Sequence, residues 1–234
     1  MTVTFLLHRR RGFIALLSAV ALLAALGAGA AASEHTASAD ALAHRHGQAA
    51  PVARTAAQAR FHDQMRKLWE DHVTWTRLAI VGFADGSAGF DATAGRLLAN
   101  QTDIGDAIKP FYGAAAGNEL TSLLRDHISI AVQVLQAAKA ADNAAFASAK
   151  AAWYRNADDI ADFLAAANPR SWPQAVTRAA MAEHLDQTLA EAAHELNGQY
   201  AASVADYDKI HHHILDMADL LSAGIIRAFP QRFH

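Results

Sequence analysis

From about Gln58 to Gly224, apolar residues recur at three- and four-residue steps, and no stretch alternates residue by residue. That one period dictates helices, because only a helix returns every third or fourth side chain to the same face. Leu68, Trp69, His72, Trp75, Thr76, Ala79 and Phe83 form the first such stripe. Stop signals then cut the pattern: Asp85-Gly86-Ser87-Ala88-Gly89, Pro110 followed by Gly113 to Gly117, Asp142-Asn143, Asn168-Pro169, Asn197-Gly198 and Pro230. Helices joined by such short loops pack antiparallel to their neighbours. The expected fold is all-α, an up-and-down bundle of about six helices, with a four-helix core and two flanking helices.

Composition fits this reading and narrows the chemistry. Hydrophobic residues make up 53% of the 234-residue chain, much of that alanine, and there are only 5 prolines. There is no cysteine. Disulfides, iron–sulfur clusters and thiolate zinc sites are therefore excluded, and any metal must be held by imidazole and oxygen. A net charge of −3 carries no basic footprint for nucleic acid.

Residues 1–32 read as an export signal. His8-Arg9-Arg10-Arg11 is a positive n-region, Gly12 to Leu26 an apolar run, and Ala28-Gly29-Ala30 a cleavage candidate. Arg10-Arg11-Gly12-Phe13-Ile14 also fits a twin-arginine signal, which exports proteins already folded. Either leader implies a periplasmic or extracellular protein, membrane-anchored only if the segment stays uncleaved. Residues 33–56 read as a flexible linker holding His35, His44 and His46, residues 57–230 as the bundle, and 231–234 as a C-terminal tail.

Polar residues interrupt the apolar stripes where leucine or isoleucine is otherwise expected. Helices joined by a short loop bring into register residues equally distant from the loop. On that geometry His72 faces Asp103, Asp103 faces His127, His127 faces Asn156, Asn156 faces His184, and His184 faces His213. Buried imidazoles need partners for their nitrogens, so this layer has two explanations. One is a divalent metal (Zn, Cu, Fe or Mn) held by His72, Asp103, His127, His184 and His213. Glu70, Asp126, Asn156, Thr188 and Glu191 are then the outer groups available to orient the ligands. The other is a structural hydrogen-bond network without an ion.

The first makes the chain a metal-handling or storage protein. The second makes it a non-enzymatic sensory, ligand-binding or partner-binding bundle. No nucleophile elbow, phosphate loop or Ser/His/Asp order is present, so no enzymatic reaction is assigned. Glu191 and His194 have the Glu-x-x-His spacing of di-iron bundles, but the second pair and the extra glutamates of such a site are missing. His211 and His212 point away from the seam that carries His213.

Three segments resemble a family of small exported bacterial all-helical proteins: Leu68 to Arg77 (LWEDHVTWTR), Asn100 to Gly113 (NQTDIGDAIKPFYG) and His213 to Asp219 (HILDMAD). The resemblance spans about the last three-quarters of the chain. It implies an exported helical protein and brings no activity with it.

Overall fold

The computed structural model describes residues 55–234; the leader and nearly all of the linker read from the sequence lie outside the described residues. The helices are α1 (Ala56–Asp85), α2 (Phe90–Lys139), α3 (Asn143–Ala167), α4 (Gln174–Leu196) and α5 (Tyr200–Ala228), followed by a 3-10 turn at Pro230–Arg232. No strand occurs among the described residues. The fold is the expected all-α bundle. Among the described residues, no helix is long and apolar enough to cross a membrane.

Local chemistry sets each boundary. Thr55 caps α1 in a reciprocal box with Gln58, satisfying two backbone or capping donors at once. Gly86 ends α1 at φ 66°, in the left-handed region. Gly89 is the cap residue of α2, and Asp91 sits in the first turn, where its charge suits the helix N-terminus. Asp142 caps α3 through Ala145 N–H.

Helix α2 is a hairpin in its own right. At Gly113 the backbone leaves helical geometry (φ 86°, ψ 166°), three residues after Pro110. The chain reverses there, so the second arm runs back along the first. The arms touch at two glycines: a Cβ on Gly105 would stand 2.5 Å from the Gly117 carbonyl oxygen, and one on Gly117 2.6 Å from that of Gly105. Counting the two arms, the described chain has the six expected helical segments.

Each helix packs on its neighbours in sequence, and α5 returns to α1, which closes the ring. Inside it, Val73, Ile104, Leu124, Trp153, Ile160, Leu185, Ile214 and Ile225 form one core. Burying a side chain of this size stabilises by about 1.5–3 kcal/mol each. The C-terminus is packed too: Phe233 lies against Phe61 and Phe111, and its carbonyl accepts from the Thr55 hydroxyl at 2.9 Å.

Candidate functional site

Four histidines are buried: His72 on α1, His127 on the second arm of α2, His184 on α4 and His213 on α5. Three line one small cavity of about 50 Å³, whose other walls include Ile80, Leu97, Ile128, Val134 and Trp153. That volume is several times the ~10–15 Å³ one water needs. Ring centroids are 5.7 Å apart for His72 and His184, and 6.4 Å apart for His127 and His184. His184 therefore sits between the other two.

The hydrogen bonds fix which nitrogen carries each proton. Asn156 donates its Nδ2–H to the Leu123 carbonyl, so its Oδ1 is the atom facing His127 at 2.8 Å. His127 Nδ1–H must donate to it, which leaves the lone pair on Nε2. At His72 the order is reversed. Gln101 donates through Nε2 to the Leu97 carbonyl at 2.7 Å and to Asn100 Oδ1 at 3.2 Å, and the same nitrogen lies 3.3 Å from His72 Nδ1. Turning that amide over would set its oxygen against two acceptors. The Gln101 nitrogen has two hydrogens for three acceptors, and an N–H on His72 Nδ1 would face another donor, so Nδ1 keeps its lone pair and the His72 proton is on Nε2. His213 donates Nε2–H to the Ala180 carbonyl at 2.9 Å.

The three cavity rings, His72, His127 and His184, are neutral. Burial, and then the neighbouring His127, push His72 down to about 3; burial outweighs the Asn156 bond and puts His127 at about 4. His184 is held well below the usual imidazole range by burial and by the three other histidines. No carboxylate lines the cavity.

Unpaired polar atoms gather at the same place. Among the described residues five buried side-chain atoms lack a hydrogen-bond partner, and four belong to this layer: His184 Nδ1, Gln101 Oε1, Trp153 Nε1 and Trp69 Nε1. Trp69 packs against His72 at 5.8 Å and Trp153 against His127 at 5.2 Å. Each unpaired buried group costs about 1–3 kcal/mol.

The remaining residues expected at the layer divide clearly. Asn156 bonds His127 as its register requires. Thr188 lines the cavity but spends its hydroxyl proton on the His184 carbonyl at 2.8 Å. Asp103 is on the outer face, paired with Arg96 at 3.4 Å. Asp103 lies off the buried stripe of Asn100, Gln101, Ile104, Gly105 and Ile108, and its height is wrong too, because the α2 hairpin turns nearer to Phe111 than the Gly113–Gly117 segment suggests. Leu98 is level with Arg125, which brings Arg96, not Asp103, level with His127. Glu70 accepts from His211 on the surface at 3.0 Å, and Asp126 is exposed.

Glu191 is buried, yet it faces another partner. Arg77 reaches it at 2.9 Å and Glu195 at 3.2 Å, and Ser203 donates to Glu195 at 2.6 Å. Burial lifts Glu191 to about 7 despite the arginine. Gln101, which holds His72, was not in the sequence-based set. Its position one residue from Asn100 on the inward stripe was the available signal.

Among the described residues, no three His, Asp or Glu side chains are already arranged to hold a metal ion. The ring spacing nevertheless suits a shared ion. With metal–nitrogen bonds of about 2.0–2.1 Å, two imidazoles on one metal place their centroids ~5.3–6.5 Å apart, from tetrahedral to linear angles. Each separation falls in that interval taken pair by pair, but 6.4 Å lies at its linear end, so the rings must shift before one ion can touch all three. No protein-family model, curated protein or solved structure matches this chain.

Proposed function

We propose that this bundle is an exported metal-handling protein that binds one divalent transition-metal ion at His127, His184 and His72. The observation that carries the reading is His184 Nδ1, a fully buried nitrogen without a partner, flanked at metal-sharing distances by two neutral imidazoles. His127 presents its Nε2 lone pair, with Asn156 holding the opposite N–H as outer partners of metal-bound histidines do. His72 joins when its proton moves from Nε2 to Nδ1. That move requires the Gln101 amide to reorient and give up its bonds to the Leu97 carbonyl and Asn100 Oδ1, which makes His72 the costliest of the three ligands to recruit. His213, committed to Ala180, stands outside the ligand set, and Asp103 lies too far out to serve.

Neutral imidazole suits Zn, Cu, Fe and Ni alike, so geometry does not select the metal. A ligand that prefers the folded state stabilises it by about 2.7 kcal/mol at a hundredfold excess over Kd. Thermal melts of the untagged chain with Zn(II), Co(II), Cu(II) and Mn(II) test the reading. An upward shift with at least one ion, absent in His184→Phe, is expected. No shift with any ion sinks it.

A second reading has its own support: Gln101, Asn156 and the Ala180 carbonyl already partner His72, His127 and His213, as a structural network without an ion requires. In that case the layer fixes helix register, and His184→Phe leaves the response to every ion unchanged.

A further inference from the structure

Buried apolar residues of the described chain fall into two separate clusters: the main core, and a small satellite of Ala79, Leu97 and Ile128 with Phe90 packed on it. The cavity beside the imidazoles lies on the seam between them. Its walls take Ala79, Leu97 and Ile128 from the satellite and Val134 and Trp153 from the main core. Side chains of the two clusters meet the polar layer there instead of each other, and the space is left unfilled. A close-packed interior rarely keeps a void of this size.

The chemistry of the wall decides what fits. No Asp, Glu, Lys or Arg lines the cavity, and its open surface is almost wholly carbon. Thr76 and Thr188 donate to carbonyls of their own helices at 2.7 and 2.8 Å, and Nδ1 of His72 and of His127 is held by Gln101 and Asn156. Water needs two to four polar partners to settle in such a space, and a carbon wall does not present them. We infer that the cavity binds a neutral, apolar molecule smaller than benzene. An apolar cavity of about 150 Å³ takes benzene or xenon; this one measures about 50 Å³, which sets the upper size. Half-buried Phe90, Val132, Leu135 and Leu189 form the wall nearest to solvent and mark the way in. The inference stands apart from the metal reading, because it uses the carbon wall and no imidazole nitrogen.

The test uses the full chain, freed of metal by a chelator, with xenon as the probe and its NMR chemical shift as the readout. Saturable xenon binding is expected in the wild type, and benzene should not displace it. Ala131→Val adds two carbons to the cavity wall and should abolish saturable binding, with circular dichroism showing the bundle folded. Ile128→Ala enlarges the cavity and should admit benzene, so a second variant reports if the first does not fold. A wild-type shift that stays linear in xenon pressure, or saturable binding that survives in Ala131→Val, overturns the inference. So does benzene displacing xenon from the wild type. Because the protein is metal-free throughout, these outcomes and the thermal response to ions succeed or fail separately.

Discussion

Lowering the pH from 7 to 5 should destabilise this bundle, by an amount set by its buried histidines. In the unfolded chain an imidazole takes up its proton near 6.5. In the fold, His72 and His127 resist protonation until about 3 and about 4. The unfolded state therefore binds more protons throughout the interval between, and stability falls as pH drops below 6.5, levelling off only below the folded values. At pH 5 each of the two costs about 2 kcal/mol relative to pH 7, or about 4 together. His184 adds to the loss in the same direction. Glu191 opposes it. Its carboxyl, held at about 7 in the fold, binds its proton more readily folded than unfolded, which returns about 2 kcal/mol over the same drop.

The net loss is about 2 kcal/mol before the His184 contribution, a large share of a stability of about 5–15 kcal/mol. Urea unfolding at the two pH values measures it directly. Glu191→Gln removes the opposing proton uptake, so the loss in that variant should grow to about 4 kcal/mol or more. Equal or greater stability at pH 5 in Glu191→Gln would refute the claim that these imidazoles are buried and neutral.

Three other substitutions probe separate parts of the structure. Gly105→Ala forces a methyl against the Gly117 carbonyl where the arms of α2 cross, and urea unfolding should show a loss of about 1–3 kcal/mol. Asn156→Leu strands the His127 Nδ1–H in the core; it should cost about 1–3 kcal/mol in unfolding free energy, and ion titration should show metal affinity falling about 10–100-fold. Arg77→Met leaves Glu191 and Glu195 buried without their cation, a loss of about 3–5 kcal/mol at pH 7. Because Glu191 takes up its proton as pH falls below about 7, the Arg77→Met deficit should shrink at pH 5.

The helical architecture was legible because apolar period and stop residues agree at almost every boundary. The histidine layer was legible for the same reason: His72, His127, His184 and His213 break leucine-like stripes, and all four are buried. Register across the later hairpins could also be read, since short loops leave little slack; His127 meets Asn156, and His213 meets Ala180 one turn from His184. Asp103 was misplaced because it lies off the buried stripe of its helix and because the α2 hairpin turns nearer to Phe111 than to Ala115, a shift of several residues at about 1.5 Å of rise each. Glu191 was read as a partner of His184 because spacing along α4 shows which face it shares, but not that Arg77 on α1 occupies that face. Proton positions lay beyond the sequence altogether, since they depend on the amide orientations of Gln101 and Asn156.

The central claim, one metal ion at His127, His184 and His72, is tested most directly by the metal content of the untagged chain after equilibrium dialysis. Elemental analysis should return one ion per chain for the wild type, for Asp103→Asn and for the double variant His211→Ala/His212→Ala. It should fall to background in His127→Ala and in His184→Ala, with circular dichroism still showing a folded helical bundle. Sub-stoichiometric metal in the wild type, or a full ion retained in both His127→Ala and His184→Ala, would contradict the account.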